Sequence, residues 1–75
     1  MIDHDDLKTL RKHLNMTQSE MAYVMSISRR YYQMLEYGTY PMSKKNCRDL
    51  LEYLNNCHED LTDVAEIIDC LERVE

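Results

Sequence analysis

Apolar positions along the chain recur at intervals of three and four, and the two-residue alternation of a half-buried strand is missing. Leu7, Leu10 and Leu14 share one face of a first helix from about Asp5 to Leu14. Asp3, Asp5 and Asp6 suit the positive field at its start, and Asn15 is a natural stop. The run Thr17-Gln18-Ser19-Glu20 reads as a capping box: Thr17 accepts from the backbone N–H three residues on, and Glu20 reaches back. A second helix follows, turns Met21, Ala22 and Met25 inward, and ends near Ser26. Ile27 plugs the turn into the core. Ser28 is a good N-cap for a third helix, Arg29 to Tyr37, with Tyr32 and Leu35 on its inner face and Gly38 at a left-handed C-cap. Pro41 keeps the residue before it extended. Ser43 then caps a fourth helix carrying Cys47, Leu50, Leu51 and Leu54 inward. The polar run Asn55 to Asp60 breaks the pattern, and a fifth helix spans about Leu61 to Val74.

These elements predict an all-α, compact five-helix domain over residues 1–75, with no second domain and no repeat. One Gly and one Pro leave little room for long irregular loops. A core this small is marginal, so a partner subunit would help it. No apolar run approaches the roughly 20 residues that span a bilayer, and no basic leader precedes an apolar segment, so a cytoplasmic protein without membrane attachment is expected. The three cysteines, Cys47, Cys57 and Cys70, form no CxxC pair, which suits reduced thiols.

The formal net charge of −5 misleads until it is divided. Residues 7–48 carry eight Lys/Arg against only Glu20 and Glu36, whereas residues 49–75 carry nine acids against Arg73. Phosphate binding needs a local positive face more than a positive total. Two short helices joined by a turn of three or four residues, the second opening with Ser28-Arg29-Arg30, form a helix-turn-helix signal over about residues 17–37.

The segment from Leu10 to about Leu54 resembles the Cro/repressor-type helix-turn-helix domains of phage and bacterial regulators, with a lambda-repressor-like fold. The matching residues are Arg11, Thr17-Gln18, Ala22, Ile27-Ser28, Leu35-Glu36, Gly38 and Pro41. The resemblance implies that Ala22 is small because the third helix crosses it, that Gln18 donates to a DNA phosphate, and that Arg11 and Glu36 form an internal ion pair. It also implies that Ser28, Arg29, Arg30, Gln33 and Met34 face the major groove and read bases. Tyr32 departs from the smaller aliphatic usual in the family. Ser26 replaces the usual turn glycine, at a cost of roughly 1 kcal/mol if the left-handed backbone is kept.

Elementary chemistry agrees with the base-reading set. Arginine can donate two hydrogen bonds to guanine O6 and N7, and glutamine can pair with adenine N6 and N7. Arg29 and Arg30 sit at the helix end where positive charge is unfavourable, and nearby DNA reverses the sign of that effect. Lys44 and Lys45 open the fourth helix in the same way and, with its free N–H groups, can clamp a phosphate, a solvated charge run being the alternative. Tyr31, Tyr37, Thr39 and Tyr40 are further phosphate candidates, with amphipathic packing an equal alternative for Tyr31 and Tyr37. Lys8 and Lys12 read as solvated charges.

The fifth helix carries more apolar surface than one face needs. Val64, Ile67, Leu71 and Val74 form one stripe, and Leu61, Ala65 and Ile68 a second. One stripe packs on the core and the other meets its copy, with a dimer interface drawn from Val64, Ile67, Ile68, Leu71 and Val74; the alternative is a wholly internal helix in a monomer. A two-fold homodimer presents its recognition helices about 34 Å apart on double-stranded DNA and selects a palindromic operator. Cys57-His58 with Cys47 and Cys70 fits no metal-ligand spacing, and His4 and His13 lack a nucleophile partner, so no metal, cofactor or enzyme activity is expected. The expected function is a sequence-specific dimeric repressor of a phage or mobile-element operon. The alternative is a protein-interaction module on the same fold, an antitoxin or an inhibitor of a host defence complex, whose acidic tail meets a protein partner.

Overall fold

The computed structural model describes residues 2–73. It contains α1 (His4–His13), α2 (Gln18–Val24), α3 (Arg29–Tyr37), α4 (Lys44–Asn56) and α5 (Ala65–Glu72), with a 3-10 turn at Thr62–Val64 leading into the last. No strand occurs among the described residues.

Three helices start on side-chain caps. Thr17 Oγ1 accepts from the Glu20 N–H at 3.1 Å while Glu20 Oε1 accepts from the Thr17 N–H at 2.8 Å, so the capping box is complete. Ser28 accepts from the Tyr31 N–H, and Ser43 from the Asn46 N–H.

Three helices also end alike. After α1, α2 and α3 the chain passes through a left-handed residue: Asn15 (φ 57°), Ser26 (φ 58°) and Gly38 (φ 82°). Each closes a Schellman motif, seen in the pairs Met16 N–H to Arg11 O (3.2 Å) with Asn15 N–H to Lys12 O (3.0 Å), Ile27 N–H to Ala22 O (3.0 Å) with Ser26 N–H to Tyr23 O (3.1 Å), and Thr39 N–H to Met34 O (3.0 Å) with Gly38 N–H to Leu35 O (3.2 Å). The apolar residues that follow the first two, Met16 and Ile27, pack against the core. Gly38 has a second constraint besides its φ, because a Cβ there would lie 3.0 Å from the His4 ring.

α3 lies between α1 and α2, and α5 packs on α4 and α1. The core they enclose is built from Leu7, Leu10, Met21, Met25, Tyr32, Leu35 and Leu50, all essentially dry, and Ala22 of α2 is buried with them. The three cysteines are free thiols.

Two expectations for the last helix change. It does not begin at Leu61: Asp60 Oδ1 accepts from the Thr62 N–H (3.0 Å) and the Thr62 hydroxyl (2.7 Å), which tightens the chain into a 3-10 turn before α5 starts at Ala65. Val64, Ile67 and Leu71, expected at a subunit interface, are buried in the chain's own core. Both stripes have helical period, but this one faces α4 and α1, where covering apolar surface is most favourable. Ile68, beside it, keeps part of its surface exposed. Val74 lies outside the described residues.

Ser26→Gly tests the strain at the turn. The substitution is expected to stabilise the domain by about 0.5–1 kcal/mol, raising Tm by several degrees, because glycine removes the left-handed penalty at a smaller unfolded-state cost. A thermal melt followed by circular dichroism checks it.

Candidate nucleic-acid interface

The site begins with a carboxylate inside the protein. Glu36, in the last turn of α3, has a side chain only 3% exposed. Arg11 of α1 meets it with two nitrogens, Nε to Oε2 at 2.6 Å and Nη2 to Oε1 at 3.3 Å, and its Nη1 donates to the Met16 carbonyl at 3.1 Å. The Tyr32 hydroxyl, one turn back on α3, donates to Oε2. Gln18 Nε2, at the start of α2, donates to Oε1 at 3.2 Å. Four donors therefore fill the four lone-pair sites of the carboxylate. Among the described residues no buried side-chain polar atom lacks a partner.

These bonds set the charge states. Burial alone would push the Glu36 carboxyl up, but the hydrogen bonds from Arg11, Tyr32 and Gln18, with the Arg11 charge, outweigh it and hold the group below its usual 4.5. The hydrogen bond to Glu36 raises Arg11 in turn, against the cost of its own burial. Burial and the neighbouring carboxylate push the Tyr32 phenol far above its usual range, so it stays a donor.

Outside this cluster, α3 presents its opposite face. Ser28, Arg29 and Arg30 are exposed, and Gln33 and Met34 half-buried. Neither arginine has a carboxylate partner among the described residues. The Ser28 oxygen caps its own helix, which leaves its hydroxyl hydrogen free to donate. Gln33 Nε2 donates to Gln18 Oε1 at 3.1 Å, so both polar atoms of Gln18 are engaged within the protein. Tyr37 is 78% exposed and Tyr40 48%. The half-buried Tyr31 ring lies 6.0 Å from that of Tyr40, tilted by 49°. Thr39 and Lys44 are exposed, whereas Lys45 pairs with Asp49 at 2.8 Å.

Of the expected site residues, the structure brings Ser28, Arg29, Arg30, Gln33, Met34, Tyr31 and Tyr37 onto one helix, with Gln18 touching it. Sequence reasoning missed two features: the Tyr32 hydroxyl as a ligand of Glu36, and the Gln18–Gln33 contact. The first had a local signal, since residues 32 and 36 are one helical turn apart. The second had none, because it joins residues 15 apart.

A family model described as helix-turn-helix matches residues 7–61, well over half of the 75-residue chain. No curated protein and no solved structure gives a match.

The buried carboxylate makes stability depend on pH with a definite sign. Unfolded, Glu36 takes up its proton near the ordinary 4.5; folded, it does so only at lower pH. Its contribution is therefore complete above about 4.5 and is lost as pH falls through the folded value. Tyr32→Phe, which deletes a hydrogen bond to the charged form, is expected to cost about 1.5–3 kcal/mol at pH 7, and less at pH 3. Urea unfolding of both proteins at pH 7, 5 and 3 measures this.

Proposed function

The chain belongs to the helix-turn-helix family of DNA-binding regulators, and on that premise we propose that it is a sequence-specific repressor, an autorepressor of a phage or mobile-element operon, binding a palindromic operator as a homodimer. The observation that carries this proposal is the pair Arg29 and Arg30, exposed at the first turn of α3 and free of any carboxylate partner among the described residues. A lone helix gains nothing from positive charge at that end. Against the major groove the same guanidinium groups meet guanine O6 and N7, and phosphates neutralise the charge.

In this mechanism α3 enters the groove. Ser28, Arg29, Arg30 and Gln33 meet base edges, and Met34 meets a thymine methyl. Tyr31, Tyr37, Thr39, Tyr40 and Lys44 hold the phosphates that fix the register, and Lys45 joins them by releasing Asp49. Among the described residues, the acids of the last third sit on α4, α5 and the segment between them, and α5 packs on α4 and α1. With the first stripe buried, the stripe of Leu61, Ala65 and Ile68 is the surface left to meet a second copy. Two recognition helices about 34 Å apart then cover one turn of duplex, and the bound dimer occludes polymerase.

The protein-interaction alternative is favoured by one groove. Between α2 and α4 lies a cleft of about 770 Å³, to which Met16, Tyr23, Val24 and Tyr53 give apolar surface and Glu20, Asp49 and Glu52 negative charge. That combination accepts a basic, partly apolar segment of a protein, the kind of contact an antitoxin or an inhibitor of a host defence complex makes.

A gel shift with the DNA upstream of the chain's own gene, at two salt concentrations, separates the two. Specific, salt-sensitive retardation supports the regulator; no retardation, with stoichiometric binding to a basic protein partner, supports the module. Within the regulator, Arg29→Ala or Arg30→Ala is expected to cost about 1–3 kcal/mol of operator affinity and to relax preference at one base pair per half-site. Lys44→Ala is expected to weaken binding evenly across sequences and to reduce the salt slope by about 1. Fluorescence anisotropy over a salt series measures both. Ile68→Glu is expected to leave the fold intact and shift the protein towards monomer in analytical ultracentrifugation.

A further inference from the structure

We infer that Gln18 is a positioning residue that fixes which atom of the Gln33 amide faces DNA, so that Gln33 selects adenine over guanine. This rests on the DNA-reading role proposed above for α3 and adds a base preference and its cause.

An ionised carboxylate has only acceptors. The Gln18 atom 3.2 Å from Glu36 Oε1 must therefore be the amide nitrogen. That turns the Gln18 carbonyl, which also only accepts, towards Gln33. The Gln33 atom 3.1 Å from it must in turn be a nitrogen. Turning over the Gln18 amide would set its oxygen against the carboxylate. Turning over Gln33 would set carbonyl against carbonyl. The two ends of a glutamine amide are ordinarily interchangeable in shape; here the sign of a buried charge passes through two side chains and leaves one consistent arrangement.

What remains free on Gln33 is its carbonyl oxygen and one N–H. In the major groove adenine offers the N6 donor beside the N7 acceptor, which matches that pair. Guanine offers O6 and N7, both acceptors, so the Gln33 oxygen would meet another acceptor. An untethered glutamine escapes that clash by rotating its amide and donating to guanine. Gln33 cannot do so without giving up its bond to Gln18 and opposing the carbonyl there. The buried Tyr32 and the half-buried Arg11 support this arrangement by keeping Glu36 ionised and in place.

Selection from a randomised duplex library, read by sequencing, tests the inference with three proteins: wild type, Gln33→Met and Gln18→Met. Methionine keeps the side-chain length and removes the hydrogen bonds. Wild type is expected to enrich adenine at one position in each half-site, and Gln33→Met to lose preference at that position alone. Gln18→Met is expected to bind less tightly everywhere and, at that same position, to lose the roughly 5- to 150-fold adenine-over-guanine ratio that a good base pair contact supplies. A merely structural role for Gln18 would lower affinity and leave the ratio unchanged, which overturns the inference. So does a wild-type motif that Gln33→Met leaves intact. Wild type enriching no sequence overturns the DNA-reading role itself, a separate failure. Without DNA, the Gln33 side-chain amide protons are expected to exchange with water faster in Gln18→Met than in wild type; equal rates also overturn the tether.

Discussion

A carboxylate removed from water has to be met by donors or it takes up a proton, and Glu36 is met by four. Those donors come from α1, α2 and α3, so one functional group ties together the first three helices of the chain. Removing one partner of a buried ion pair commonly costs about 3–5 kcal/mol, while a chain of this length has roughly 4–11 kcal/mol in all. Losing a partner of Glu36 would therefore remove a large share of the stability that holds α3 on its two neighbours. Tyr32 serves both: its ring fills the core and its hydroxyl completes the carboxylate.

The two faces of α3 do different chemistry because they are electrically different. Inward, Glu36 and Arg11 neutralise one another and Tyr32 is held protonated. Outward, the two arginines have no carboxylate partner among the described residues and sit at a helix end whose dipole does not welcome positive charge. The exposed face is thus left short of negative charge by the fold itself, and in the proposed complex phosphate and base edges supply it. The overall acidity of the chain does not contradict this, because its acids are concentrated elsewhere.

Much of this architecture was legible along the chain. Thr17, Ser28, Ser43 and Gly38 announce helix boundaries because caps act over three or four residues, and the observed ends fall where they point. The strained turn at Ser26 was legible too, since the backbone there keeps the geometry for which glycine is usual. The last helix was less so. Its two apolar stripes have the same period, and only the position of α1 and α4 decides which turns inward. The 3-10 entry depends on the Asp60 side chain reaching Thr62, a competition between local bonds that periodicity does not register. Of the candidate site, the exposed arginines follow from one helical repeat. The amide relay does not, because it joins residues from separate helices whose order of contact depends on the finished packing.

The arrangement around Glu36 also bears on how such a protein could change its target over generations. Arg29 and Arg30 are exposed and have no carboxylate partner among the described residues, so in the proposed complex either can be exchanged and a new base favoured at little cost to the scaffold. Gln33 is wired inward, and replacing it disturbs a chain of partners ending in the interior. If α3 reads DNA as proposed, the sites recognised by descendants of this chain diverge unevenly: quickly beneath the arginines, slowly beneath the glutamine.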